Sequence, residues 1–128
     1  MQVLRGDATR ELELRGTASE LTELAGLLTS GSESVALDHV AEPSPHDRSL
    51  SSITVVLTSG PIAITCAAGS GELYIRGGSP QFDLLAANVQ GFAEGWDGDD
   101  MSHLHIDYFP GHDCLDESSE PSVLGIAG

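Results

Sequence analysis

Two segments with helical periodicity interrupt a chain whose other apolar segments resemble strands, and this alternation most constrains the fold. In the first segment, Thr17 and Glu20 have the spacing of a capping box. The leucines that follow recur at helical intervals up to Gly31, a residue suited to ending a helix. The pattern predicts an amphipathic helix over residues 18–29.

The second helical segment follows a turn of two glycines. Ser79 is a favoured N-cap residue and Pro80 suits the first helical position. The predicted helix, residues 80–94, carries an apolar stripe of Phe82, Leu85, Ala86, Val89, Phe92 and Ala93.

The remaining apolar segments have the alternation or β-branched composition of strands. Short turns containing glycine join three of them in the middle of the chain, which predicts an antiparallel meander. The predicted strands are residues 11–15, 34–40, 53–57, 62–67, 72–76, 104–109 and 123–126.

This order, βαββββαββ, predicts an α+β fold with one antiparallel sheet of about six to seven strands and both helices on one face. The 128 residues are enough for a single domain, and no internal repeat is evident. We expect a flexible loop at residues 41–51, which contains two prolines, and an acidic turn at residues 95–102. An uncovered sheet edge would allow a homodimer.

Charge is the strongest feature of the composition. The chain has 20 acidic residues, five arginines and no lysine, which gives a net charge of −15. Such a surface repels phosphate and attracts basic proteins, so we expect no nucleic-acid or membrane partner. A GC-rich genome with an acidic proteome would give the same composition, so the charge alone does not identify a partner. No signal peptide is recognised, and we expect a cytoplasmic protein.

The two cysteines lack the spacing of a redox or metal motif. Cys66 lies in an apolar segment and is expected to be buried. Cys114 lies in a polar loop and could be exposed.

Three of the five histidines lie in the segment HLHIDYFPGHDC, residues 103–114. On a strand, His103, His105 and Asp107 would share one face. Their spacing is reminiscent of the zinc motif of metallo-β-lactamase-type hydrolases, so a small metal-dependent hydrolase is one alternative. However, Tyr108 occupies the position of that motif's next histidine, and one strand offers at most three ligands. We therefore expect no metal or cofactor and interpret these side chains as a solvated face or a recognition surface.

Evidence for catalysis is weaker still. His112 and Asp113 could form an oriented pair, but no nucleophile elbow and no phosphate-binding loop accompany them, and we expect no enzyme activity. The single tryptophan, Trp96, precedes the acidic residues Asp97, Asp99 and Asp100. It either covers the end of the second helix or anchors an interface with a basic protein.

The glycine turn, the second helix and the segment HLHIDYFPGHDCLDESSEPSVLGI together resemble a family of small bacterial immunity proteins of polymorphic toxin systems, immunity protein 32. The resemblance extends from about Ser52 to the C-terminus. It implies an α+β fold and neutralisation of a cognate toxin by tight binding without catalysis. The residues that carry it are His103, His105, Asp107, Tyr108, Pro110, Gly111, His112 and Ser119.

These observations favour a small acidic binding protein of the immunity type, whose partner is a basic protein such as a toxin domain. The alternatives are the metal-dependent hydrolase and a protein that associates with itself through a sheet edge. The residues expected to contact the partner are Trp96, Asp97, Asp99, Asp100, His103, His105, Asp107 and His112.

Overall fold

The computed structural model describes residues 1–44, 46–66, 71–98, 103–111 and 114–126. Within these ranges the chain forms nine strands and two helices. In chain order they are β1 (Gln2–Arg5), β2 (Leu12–Gly16), α1 (Ala18–Ser30), β3 (Glu33–Ala36), β4 (Arg48–Ser49), β5 (Ser52–Leu57), β6 (Ala63–Cys66), β7 (Glu72–Gly77), α2 (Ser79–Glu94), β8 (His103–Ile106) and β9 (Ser122–Ile126).

The strands belong to two sheets. The first sheet has the order β4-β1-β2-β9-β8 and the second has the order β3-β5-β7-β6. Both are mixed, because β2 pairs with β9 and β5 pairs with β7 in parallel, while the other pairs are antiparallel. The predicted α+β class is confirmed, but two mixed sheets replace the single antiparallel sheet.

One apolar core joins both sheets and both helices. The helices α1 and α2 pack against each other. A residual space of about 20 Å³ in the interior is lined by Leu14 and Leu124 of the first sheet, Leu73 of the second, and Leu24 and Leu85 of the helices. The helices thus share their interior with two sheets, whereas the sequence predicted that they cover one face of a single sheet.

The helix α1 begins as its sequence predicts. The Thr17 hydroxyl accepts a hydrogen bond from the Glu20 N–H (3.1 Å), and the Glu20 carboxylate accepts one from the Thr17 N–H (3.0 Å), which completes the capping box. At the other end Gly31 has φ = 93°, a conformation that side chains disfavour. The prediction of a helix at this position is confirmed to within one residue.

The helix α2 begins one residue earlier than predicted. Its N-cap is Gly78, which has no side chain to accept a hydrogen bond, and Ser79 is already helical. Five of the six residues of the predicted stripe are buried, and Phe92 is partly buried. The buried residues are Phe82, Leu85, Ala86, Val89 and Ala93. Neither α1 nor α2, the helices of the described chain, has the length and apolarity needed to cross a membrane.

The two sheets are related by an internal repeat that the sequence analysis did not detect. The hairpin β1–β2 leads into α1, and the hairpin β6–β7 leads into α2. Their pairing registers correspond residue by residue at a separation of 61 residues: Gln2 pairs with Arg15 and Ala63 pairs with Arg76. The same separation relates the starts of the helices, Ala18 and Ser79. The expectation that no repeat exists is therefore wrong.

Each repeat also contributes a strand pair to the sheet of the other repeat. We name residues 1–57 the first half and residues 62–126 the second half. In the first half, β3 and β5 pair with each other and join the second sheet beside β7. In the second half, β8 and β9 pair with each other and join the first sheet beside β2. Each sheet is thus completed by strands from both halves.

The local sequence retains traces of the repeat. The segment LELRG of β2 aligns with LYIRG at the end of β7, so that Arg15 and Gly16 align with Arg76 and Gly77. In the helices, the buried residues Leu24 and Ala25 align with Leu85 and Ala86.

The connections between the last two strands of each half cover the outer edges of the hairpins. In the first half this connection contains β4, which pairs with β1. In the second half, the Ile62 N–H donates to the carbonyl of Cys114 (2.6 Å), and the Asp116 N–H donates to the carbonyl of Ile62 (2.7 Å). The outermost strands of the described sheets are β4 and β8 in the first sheet and β3 and β6 in the second.

Two local predictions need correction. The segments 53–57 and 62–67 were expected to form a hairpin, but β5 pairs with β7 in parallel, and β6 lies on the far side of β7. The predicted loop at residues 41–51 contains β4 and the buried Leu50 (1% exposed). The first error arises because β5 pairs with a strand of the other half. The second arises because β4 pairs with the distant β1 of its own half, and local turn signals encode neither pairing.

Candidate functional site

The edge strand β8 presents two histidines to solvent. His103 and His105 are exposed, whereas Leu104 and Ile106, which alternate with them, face the core. The strand ends at Ile106, three residues earlier than predicted. Asp107 therefore follows the strand as an exposed residue and does not continue the histidine face.

The outer face of the first sheet extends from these histidines to β2. In the antiparallel ladder His103 is opposite Gly125, and His105 is opposite Val123. A Cβ atom on Gly125 would lie 3.7 Å from Cδ2 of His103, so the imidazole lies over this glycine. The next strand places Glu13 beside Val123 and Arg15 beside Gly125. This face therefore carries two histidines and the Arg15–Glu13 ion pair.

Two aromatic side chains beyond β8 were not predicted as surface residues. Tyr108 is 38% exposed and Phe109 is 59% exposed. In the predicted strand at residues 104–109, alternation would place Tyr108 on the face opposite the histidines. The signal that could have corrected this is Pro110, because a proline without an N–H favours an early end to pairing. Exposed aromatic residues at a strand end are typical of contact surfaces.

The acidic turn is described only in part. Trp96 is partly buried and packs against the core. Asp97 is exposed. Asp99, Asp100 and His112, together with Asp113, lie outside the described residues.

The described residues contain no group of three or more His, Cys, Asp or Glu side chains arranged to hold a metal ion. Two histidines at alternate positions of one strand provide two nitrogen ligands, and a structural zinc site requires four ligands. Asp107, the proposed third ligand, lies beyond the end of the strand.

A buried ion-pair cluster was also missed by the sequence analysis. The Arg5 guanidinium donates to Glu120 through Nη2 (2.9 Å) and Nε (3.3 Å), and the two residues are 5% and 2% exposed. Hydrogen bonding to Glu120 raises the pKa of Arg5 and outweighs the opposing effect of burial. Asp7 accepts a further hydrogen bond from Arg5 (2.7 Å) and one from Arg48 (3.0 Å). Arg5 belongs to the first half and Glu120 to the second, so the cluster connects the halves.

Both cysteines are buried, at 6% exposed for Cys66 and 3% for Cys114. Burial raises the pKa of the Cys66 thiol, although the nearby Arg5 opposes this effect. The possibility that Cys114 is exposed is therefore wrong. It is buried because its carbonyl group pairs with Ile62, which holds its segment against β6. Neither thiol has the exposure of a reactive cysteine.

Residues 72–126 match the family model Immunity protein 32. This match confirms the predicted resemblance and contains β7, α2, β8 and β9, although it begins later than the expected start near Ser52. No curated protein and no solved structure matches the chain.

The Immunity protein 32 segment coincides with most of the second half of the fold. All the predicted contact residues, from Trp96 to His112, lie within it. The first half contains the same succession of hairpin, helix and strand pair but lies entirely outside the match.

Proposed function

We propose that this chain is a cytoplasmic immunity-type protein that neutralises a toxin by binding to it directly. The observation that carries the proposal is the match of residues 72–126 to the Immunity protein 32 family. An immunity protein in general has a toxin as its partner and does not need a catalytic centre of its own.

The proposed contact surface consists of the acidic turn, the exposed face of β8 and the segment that follows it. Its residues are those predicted from the sequence, namely Trp96, Asp97, Asp99, Asp100, His103, His105, Asp107 and His112, to which we add Tyr108 and Phe109. The net charge of −15 supports a basic partner, for example a nuclease domain whose cleft must attract phosphate. The exposed aromatic rings supply apolar area that charge alone would not.

The test is the kinetics of binding to the product of a toxin gene next to the gene for this chain. The triple variant Asp97→Asn, Asp99→Asn, Asp100→Asn should lower the association rate about tenfold at low salt, because charge mainly controls encounter. The Phe109→Ala variant should instead raise the dissociation rate, because the lost apolar contact forms only in the complex.

Matched controls separate this surface from the general acidity of the protein. The triple variant Glu11→Gln, Glu42→Gln, Asp83→Asn removes the same charge from exposed positions elsewhere, and Leu57→Ala removes another exposed apolar side chain (49% exposed). Both should leave the kinetics close to those of the parent protein. Equal effects of the two triple variants, or equal binding to an unrelated lysine-rich protein, would contradict the proposed surface.

A further inference from the structure

A groove lies between α1 and β3, on the opposite half of the molecule from the proposed toxin-binding surface. Its volume is about 360 Å³, and Leu24 and Leu27 of α1 and Val35 and Leu37 of the β3 segment contribute apolar groups to it. We name it the α1–β3 groove. Its outer wall is β3, whose four residues are all exposed and which pairs only with β5 among the described strands.

The residues of β3 that border the groove face the core side of their sheet. Val35 is opposite Ile53, and Glu33 is opposite Val55, and both partners are fully buried. Opposite residues in an antiparallel pair share a face. Val35 and Glu33 nevertheless remain exposed, so this part of the inner face is left uncovered.

The second half shows how the fold covers the equivalent position on β8. There Leu104 packs against the core and Ile106 is only 8% exposed. The helix α2 continues for three residues beyond the position that corresponds to the end of α1. Phe92 is the first of these residues and Trp96 lies just beyond the helix, and both rings are partly buried against the core. The first half has Gly31 where α2 has Phe92. The α1–β3 groove therefore lies where the second half has an aromatic side chain and the first half has none.

Charge and backbone geometry define what could fill this space. The described lining includes Glu20, Glu23 and Glu33. Glu20 is already paired with the Met1 ammonium, which also lines the groove, so Glu23 and Glu33 are the carboxylates that give the groove its negative charge. Among the described residues, β3 pairs with no strand on the side away from β5, so an added strand can pair with its backbone there. In an added strand, alternate side chains point into the groove.

We propose that the α1–β3 groove binds an extended segment of a partner protein, which pairs with β3 as an added strand. An aromatic side chain of the segment enters the groove, and basic side chains two residues away on either side pair with Glu23 and Glu33. This surface is separate from the proposed toxin-binding surface, and the proposal does not depend on that function.

The probe is the labelled peptide acetyl-Thr-Arg-Thr-Phe-Thr-Arg-Thr-amide, and its binding to the full chain is measured by fluorescence anisotropy. We expect saturable binding, with chemical-shift changes of the backbone amides of residues 33–36 in NMR spectra. The peptide with both arginines replaced by glutamate should bind at least about tenfold more weakly. N-methylation of the peptide backbone at one set of alternate residues should abolish binding, whereas N-methylation at the other set should preserve it. The reason is that only one edge of the added strand faces β3.

Two glycines give matched variants of the protein. Gly26 lines the groove, Gly91 lies on α2, and a Cβ atom at either position would meet no atom within 4 Å. Gly26→Phe should fill the groove and weaken peptide binding at least about tenfold, whereas Gly91→Phe should leave it unchanged.

Equal affinity in these two variants, or equal affinity of both N-methylated peptides, would overturn the proposal. Self-association of the parent protein that Gly26→Phe abolishes would assign the groove to a second copy and also overturn it. Toxin binding is measured separately with Gly26→Phe, so failure of the groove leaves the immunity function unaffected.

Discussion

Arg5 and Glu120 show how single residues fix the relation between the two halves. They are 115 positions apart in sequence but form a two-point hydrogen-bonded pair in the interior. Nothing in the local pattern around either residue predicts this, because charged residues are usually assigned to solvent. Each charge is the main partner that makes burial of the other tolerable.

Replacing one partner of this pair should be costly. Glu120→Ala leaves the Arg5 charge buried with its main partner removed, and we expect a loss of about 3–5 kcal/mol in the free energy of unfolding. Asp7→Ala removes a carboxylate that is half exposed and should cost less than about 1 kcal/mol. Urea denaturation of the two variants measures both losses. A Glu120→Ala loss no larger than that of Asp7→Ala would show that the buried pair does not stabilise the fold.

At the scale of elements, the helices could be predicted and the sheet pairing could not. Helix ends depend on residues within one turn, such as Thr17 and Glu20, and these are read directly from the sequence. Pairing of β5 with β7 and of β2 with β9 joins segments from different halves. The repeat of Leu-x-Leu-Arg-Gly as Leu-x-Ile-Arg-Gly was the available signal for this exchange. For the site, the exposed histidines were predictable from alternation, whereas the exposure of Phe109 depended on where β8 ends.

The equivalence of the helices leads to a prediction about their cores. Leu24 of α1 and Leu85 of α2 occupy corresponding positions and are 4% and 3% exposed. Leu24→Ala and Leu85→Ala should each lower the free energy of unfolding by about 2–5 kcal/mol. Leu84→Ala, at the neighbouring position that is 49% exposed, is the control and should cost less than about 0.5 kcal/mol. Chemical denaturation monitored by circular dichroism makes the comparison, and a loss at only one buried leucine would contradict the equivalence.

At the scale of the whole molecule, each half lacks a complete sheet. The parallel pairs β2–β9 and β5–β7 hold strands of one half against strands of the other, and the core includes both. Separation of the halves would therefore expose apolar surface on both sheets and unpair the inner edges of four strands.

This arrangement predicts that the halves stay together without a covalent connection. A protease site inserted between Thr58 and Ser59, both exposed, allows the folded chain to be cut after purification. We expect the cut protein to elute with the intact chain in size-exclusion chromatography and to separate only in denaturant. Uncut protein treated with inactive protease is the control. Release of the fragments under native conditions would show that the exchanged strands do not hold the halves together.

The connection of residues 58–61 changes the kinetic order of assembly. If the two halves were separate chains, they would have to meet by diffusion, so the folded fraction would rise with protein concentration. In one chain the second copy is always present at a high effective concentration, and folding becomes independent of dilution. Because the halves are linked in one chain, their surfaces can differ. The second half presents histidines on β8 and aromatic rings just beyond it, and the first half presents an open acidic groove beside β3.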